Sequence, residues 1–463
     1  MSELDYEPTQ NFKPPSPDEP PPSNYKYYKP PSPDGPPPPK SGFVVKSPDD
    51  APPPLPKKFS PHSPDEPPLK KGQAEWTNAI ISNITLRPLE ETDDTFKFTL
   101  AGLNVSLANA IRRVIQDDIP VYVFDVDTCK VDVNTGRLHN EILKHRLQCI
   151  PIHSKVMLDD WIHDRPEHNI FDKYAMELDV QNDGEQTMYV TTAEFKIKNK
   201  ATGRQLTAAE MERLFPKDRI TNSNIIFARL RPKISDSIPG EHLKLSCDFK
   251  ISNAAENSAF TAVCCSVYGN TIDPEAADKA WESAERQLRD DATKRGESVD
   301  PQEIEFQKKN FHILDRQRHF LKDSFDFNVE SIGIYEPREL CKFACNILKY
   351  QFDKLLEDIE TRDDLIHNSE TTMENCFDFI LEHGDYTLGK VLEFALYEKG
   401  FVAKGTKQTF QYCGFKKMHP QDDQSIIRVS FIEREAEKSW FKNHLIHSCA
   451  DASEIFKAIS AKF

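Results

Sequence analysis

Apolar positions at Leu107, Ala108, Ile111, Val114 and Ile115 recur at intervals of three and four, the spacing that lines one face of a helix. Leu103 to Asp118 is therefore predicted to be an amphipathic helix, with Asn104 or Ser106 as cap and Pro120 as stop. Upstream, from Trp76, the pattern reads as alternation: Ile80, Ile84 and Leu86, then Phe96, Phe98 and Leu100, fall on one side of two short strands. Val121 to Val133 returns to strand. Residues 153 to about 250 mix polar loops with short strands such as Tyr174 to Val180 and Met188 to Lys196. Residues 271 to 318 are heavily charged, with helical spacing around Trp281 and Leu288, and predict exposed helices.

The pattern then sharpens. Phe327 to Ile332 reads as a strand, and Glu336 to Ile359 as a long helix striped by Leu340, Phe343, Ile347, Leu348, Leu355 and Ile359. A polar stretch from Glu360 to Glu374 serves as linker to a last unit. That unit opens with a strand at Cys376 to Leu381 and a turn before Asp385. A helix follows with Leu388, Val391, Leu392, Ala395 and Leu396 inward. A strand at Ser425 to Ile432 leads to a terminal helix carrying Trp440, Phe441, Leu445, Ile446, Ile455, Phe456 and Ile459. The start of this unit repeats the first domain in miniature, and the two long striped helices each need a partner. The fold class predicted is α+β.

Composition changes the picture at the N-terminus. Residues 1 to about 72 hold 23 of the 34 prolines, and proline removes backbone donors and blocks helix and central strand, so a disordered tail is expected over 1–75. A Ser-Pro-Asp unit recurs there at Ser16, Ser32, Ser47 and Ser63. It reads as a set of docking motifs, as sites of proline-directed phosphorylation, or as a solvated spacer. The net charge of −16 argues against a protein that coats phosphate backbones. No apolar run approaches the ~18 residues needed to span a bilayer, and the acidic N-terminus lacks a secretory pattern, so a soluble intracellular protein with no membrane association is expected.

Chemistry is sparse. The ten cysteines form none of the Cys-x-x-Cys pairs of zinc sites, and Cys341 and Cys345 read as core residues of a helix. No Gly-rich phosphate loop with its lysine and no Gly-x-Ser-x-Gly elbow occurs. Asp125 and Asp127 share a strand face that could begin a divalent-metal site, or be merely polar. No catalytic residue, metal or cofactor is expected.

The stretch Phe98-Thr-Leu-Ala-Gly-Leu-Asn-Val-Ser-Leu-Ala-Asn-Ala-Ile-Arg-Arg-Val-Ile-Gln-Asp-Asp-Ile-Pro120 resembles the signature helix of the RNA polymerase alpha family, which includes the bacterial alpha N-terminal domain, the archaeal D subunit and the third subunit of polymerase II. Asn140-Glu-Ile-Leu-Lys-His-Arg-Leu-Gln-Cys-Ile-Pro151 is similar to a second block of that family. Pro239 to Leu245 and Asn257 to Val267 resemble its return from an insertion domain, more loosely. The blocks beginning at His383, Cys413 and Ile426 look like the small partner, the archaeal L or eleventh polymerase II subunit. The chain departs from cellular third subunits in lacking a cysteine-rich metal loop, and from both partners in joining them. Such fusion resembles the arrangement in large nucleocytoplasmic DNA viruses.

The resemblance implies an alpha-like dimerisation domain over 76–152 and 325–362, an α+β insertion domain over 153–324, a linker over 363–375 and an eleventh-subunit-like domain over 376–463. It implies a non-catalytic assembly platform of a multisubunit DNA-directed RNA polymerase. Two large subunits and other small ones would be its partners, with DNA and RNA reached only through the complex. The chain would be monomeric there, in the host cytoplasm at a viral factory, in a virion, or in the nucleus. Pairing of the halves would use Leu107, Ile111, Val114, Ile115, Leu388, Val391, Leu392, Leu396, Leu340, Ile347, Trp440 and Phe441. Asn109, Arg112 and Arg113, off the apolar stripe, and His145 and Arg146 would dock large subunits. The alternative is a Pro-rich interaction scaffold unrelated to RNA synthesis.

Overall fold

In the computed structural model, the structure describes residues 73–157, 170–235, 237–296, 300–370, 373–382, 384–402 and 407–463. The proline repeats with Ser16, Ser32, Ser47 and Ser63 lie outside the described residues. Helix α2 (Val105–Asp117) starts where Asn104 Oδ1 accepts from the Ser106 amide at 2.8 Å. It ends at Asp118, just before Ile119 and Pro120, and buries Leu107, Ala108, Ala110, Ile111, Val114 and Ile115. That face covers an antiparallel sheet in the order β1-β2-β10-β9, made by β1 (Thr85–Glu91), β2 (Thr95–Ala101), β10 (Phe320–Ser331) and β9 (Val263–Ile272). Phe98 and Phe327 stand opposite each other across β2 and β10, their rings stacked at 5.0 Å. Helix α7 (Pro337–Thr361) follows β10, with Pro337 in its first turn, where a missing N–H costs nothing.

A second sheet repeats this plan in the order β11-β12-β14-β13: β11 (Ile366–Asn368), β12 (Cys376–Glu382), β14 (Gln424–Phe431) and β13 (Phe410–Lys416). Helix α8 (Tyr386–Leu396) follows β12 as α2 follows β2, and α9 (Lys438–Ser460) follows β14 as α7 follows β10. The chain thus contains one small α+β plan twice. The helices α2, α7, α8 and α9 pack against one another, and both sheets feed a single hydrophobic core.

The first copy is interrupted between α2 and β9. Here β3 (Val121–Asn134), β8 (His242–Ser252), β4 (Tyr174–Gln181) and β6 (Lys196–Asn199) form a sheet around a second core. Helix α3 (Asn140–Gln148), the pair β5 (Met188–Thr191) and β7 (Ile226–Leu230), and α4 (Ala208–Leu214) complete it. Tyr335 joins the two cores, donating its hydroxyl to the Pro120 carbonyl at 2.7 Å and accepting from the Val156 amide at 3.0 Å. Two helices, α5 (Pro274–Arg295) and α6 (Pro301–Ile313), lie between β9 and β10.

Several boundaries differ from the sequence expectation. Ile80 is not in a strand: Gln73–Asn83 is helix α1, because Trp76, Thr77 and Ile80 are set at helical spacing and pack inward, and the strand begins only at Thr85. The expected strand Met188 to Lys196 breaks at Thr191, whose amide and hydroxyl both donate to Glu194 Oε2 at 2.7 and 2.8 Å. Helix α3, assigned with 76–152, builds the second core, and strand β3 is shared, with Val121 and Val123 in the first core and Tyr122, Phe124 and Cys129 in the second, while β9, assigned to 153–324, pairs with β10 in the first sheet. The linker 363–375 contains β11, which is hydrogen-bonded to β12.

Candidate assembly interface

The joint between the two copies starts with side-chain spacing. Leu107, Ile111, Val114, Ile115, Leu340, Ile347, Val391, Leu392, Leu396 and Phe441 are all buried in the common core. Leu388 is half-buried against it. Trp440 is the exception: it is 40% exposed, because the inward stripe of α9 begins at Phe441 and continues through His444, Leu445 and Ser448. Phe352 of α7 and Phe456 of α9 stack at 5.9 Å. Polar contacts flank them: Ser453 donates to Asp353 at 2.6 Å and Ser460 to Asn346 at 2.7 Å. Phe463 packs its ring edge-on against Phe98 of the first sheet at 5.2 Å. Helix α1 returns the exchange, with Trp76 under the Lys399 ammonium at 4.9 Å and Thr77 donating to Asp451 at 2.8 Å. Lys399 and Asp451 are ion-paired.

Arg113 does not face outward. Its Nε donates to Thr387 Oγ1 at 2.8 Å, and its terminal nitrogen pairs with Asp385. Asp385 also caps α8, accepting from the Thr387 amide at 2.7 Å. One guanidinium therefore ties the signature helix to the start of its counterpart, and its planar fork suits two acceptors at once. Burial pushes the neighbouring Asp118 carboxyl up; Gln351 donates to it at 3.1 Å and opposes the shift, and the Asp117 and Asp385 charges add to it. Both ends of the Arg113–Asp385 pair are about one-third exposed, so solvent screens it. A double-mutant cycle between Arg113→Ala and Asp385→Ala should give a coupling of about 1 kcal/mol in urea denaturation. Additive effects of the two changes would deny the tie.

Arg112, one residue earlier, keeps its side-chain hydrogen bonds on its own helix. Its Nε donates to Asn109 Oδ1 at 3.0 Å and a terminal nitrogen to Gln116 Oε1 at 2.9 Å. Asn109, Arg112 and Gln116 thus form a polar strip on α2, and Ser266 of β9 donates to the Arg112 carbonyl at 3.2 Å. Val105 and Val267, both about half exposed, lie on the same two elements. His145 and Arg146 belong to α3 in the second core. His145 is exposed, whereas Arg146 donates to the carbonyls of Phe227 at 2.6 Å and Ile226 at 2.8 Å, holding β7 against α3. The structure therefore brings Asn109 and Arg112 together, turns Arg113 inward, and engages Arg146 in the insertion. Reasoning from sequence missed Asp385 and Thr387. Their Asp-x-Thr cap spacing was readable, but nothing local linked them to an arginine 272 residues away.

Among the described residues, no cluster of three or more His, Cys, Asp or Glu could hold a metal ion, and no helix is long and apolar enough to cross a membrane. Cys341 and Cys345 are fully buried on α7, where burial pushes both thiols up, as expected of inert core cysteines.

The family described as RNA polymerase Rpb3/Rpb11 dimerisation domain matches residues 97–352, more than half of the chain. The chain is similar to DNA-directed RNA polymerase subunit Rpo3 of Pyrococcus furiosus, 34% identical over 111 residues, which are 24% of this chain and 39% of the relative. It is also similar to DNA-directed RNA polymerases I and III subunit rpac1 of Dictyostelium discoideum, 23% identical across 60% of this chain and 85% of the relative. A further relative is DNA-directed RNA polymerases II, IV and V subunit 3 of Arabidopsis thaliana, 24% identical across 61% and 93%. The match thus spans about two fifths of the archaeal relative's length and most of the eukaryotic ones.

Proposed function

Because the chain belongs to the alpha-like family of RNA polymerase Rpb3/Rpb11 dimerisation domains, we propose that it is a non-catalytic assembly subunit of a multisubunit DNA-directed RNA polymerase. Its two alpha-like halves pair within one polypeptide and offer a joint surface to the large catalytic subunits. The observation that carries this reading is the single core built from both sheets and the four helices α2, α7, α8 and α9. A pair that is separate elsewhere needs to meet in solution; joined by a short connection, it associates at an effective concentration in the millimolar range. Fusion of this kind fits a viral transcription apparatus.

The docking surface proposed is the α2 strip of Asn109 and Arg112, with His145 on the neighbouring unit. Arg113 and Arg146 act one step behind, holding the surface in shape. Tagged full-length chain recovered from its native setting should bring down two large subunits and support template-directed RNA synthesis. Arg112→Glu should reduce recovery of the large subunits about tenfold, equivalent to about 1.4 kcal/mol, while leaving the melting temperature unchanged. Recovery of the chain without large subunits, or only with small signalling-type partners, would refute the assembly role.

A further inference from the structure

In the sheet of the second core, β4 meets β6 only as far as Glu177, whose partner Lys196 is the first residue of that strand. The chain before Lys196 turns off into a single 3-10 turn, Thr192–Glu194. Leu178 to Gln181 therefore pair with β8 on one side and, among the described residues, with no strand on the other. The neighbours fix where the free backbone groups point. Asn182 donates its amide to the Glu241 carbonyl at 2.9 Å, on the β8 side. His242, opposite Gln181, directs its amide and carbonyl to Thr135 at 2.7 and 3.1 Å, on the β3 side. Alternation then turns the N–H and C=O of Gln181 and Asp179 away from β8, to the open edge.

That edge forms one wall of a cavity of about 690 Å³. Half-buried Met188, Leu206 and Met211 give it an apolar lining. Thr192 also lines it, and this residue is only 2% exposed. Its Oγ1 has no hydrogen-bond partner among the described residues. A buried hydroxyl left alone is destabilising, so a group that entered the cavity and reached Thr192 would remove a cost already present in the free chain.

We propose that the open edge of β4 and the cavity beside it bind an extended segment of a partner protein. The main chain of the segment continues the sheet as a further strand on Asp179 and Gln181. One apolar side chain enters between Met188, Leu206 and Met211, and a polar group reaches the Thr192 hydroxyl. A helix is a poor occupant, because its backbone groups are already bonded to one another. The proline repeats of this chain are poor occupants too, since each proline lacks the N–H that a strand pairing needs. The site lies outside the α2 strip and does not depend on the assembly role.

The test takes heptapeptides selected from a random displayed library on the purified full-length chain, remade with a fluorescent label. N-methylation of one alternate set of peptide amides should weaken binding at least about tenfold in fluorescence anisotropy, and methylation of the other set should not, because only one edge of an added strand is bonded. Asp179→Pro removes a donor that faces away from β8 and should weaken binding to a similar extent. Thr192→Val keeps the shape of the side chain and removes the unpartnered hydroxyl. It should leave the melting temperature no lower than wild type while weakening the peptide about fivefold, a split that a merely structural role would not give. The proposal is overturned if no selected peptide responds to Asp179→Pro, or if both methylated sets bind alike. A fall in melting temperature on Thr192→Val with unchanged peptide binding overturns it as well. Dimerisation of the wild-type chain that Asp179→Pro abolishes would overturn it in favour of edge-to-edge self-association.

Discussion

Replacing Phe352 or Phe456 with alanine will lower the stability of the whole folded body by about 3–5 kcal/mol. Both rings are fully buried, so truncation removes their transfer free energy and leaves a cavity that the surrounding helices fill only in part. The rings stack across the joint at 5.9 Å and 16°, one on α7 of the first copy and one on α9 of the second, and contribute about 0.5–1.5 kcal/mol beyond their area. The double mutant should therefore lose less than the sum of the single changes. Because both sheets feed one core, urea should unfold the two copies in a single transition that either change shifts to lower midpoint. Two separate transitions in the wild-type chain, with only one moved by Phe352→Ala, would mean that the halves fold independently and merely touch.

What the sequence made legible is what short-range periodicity can carry. The stripes of α2, α7 and α9 repeat often enough that their inward faces are defined by spacing alone, and the resemblance of Phe98 to Pro120 identified which family plan those helices serve. Elements with few repeats were lost. Strand β11 has three residues, of which only Ile366 is buried, too short for any alternation to register. In β13 only Phe410 and Gly414 are buried, so one of its two inward positions carries no side chain to mark it. Helix α1 is masked because Ile80 and Ile84 fall into alternation with Leu86, although the helix ends at Asn83, between the two isoleucines.

The candidate site failed in a different way. Arg112 and Arg113 are adjacent and chemically identical, and both lie outside the apolar stripe, so periodicity gives them one role. Their surroundings divide them: Asn109 and Gln116 on the same helix engage the first, while Asp385 and Thr387 of the other copy engage the second. Tertiary pairing, invisible to local spacing, decides which guanidinium is free to meet a partner. The same holds for Arg146, whose acceptors are backbone carbonyls some eighty residues on.

Acid should destabilise the second copy through His444. This residue lies on the buried face of α9, its ring 4.8 Å from Phe410 and 6.0 Å from Phe431. Burial, joined by the positive charges of Lys399 and His447, pushes its imidazolium down to about 4, from an ordinary 6.5. Unfolding releases the ring to water, so between these values the unfolded chain binds the extra proton. The stabilisation is fully present above about pH 6.5 and is lost as the pH falls towards 4, about 2 kcal/mol of it between pH 7 and 5. Lys399 acts mainly in a different window: burial draws its ammonium down to about 7, with Cys449 opposing, so most of its dependence lies on the alkaline side. Exposed carboxylates titrate mainly below pH 5, and the Asp118 carboxyl, raised by burial, is common to wild type and variant. The His153 imidazole, also pushed down by burial, shares this limb, so the His444 part is read as a difference: His444→Phe should lose that part of the slope in urea titrations while retaining an aromatic ring beside Phe410 and Phe431. A variant that keeps the full wild-type slope there would show that His444 is not the group being protonated.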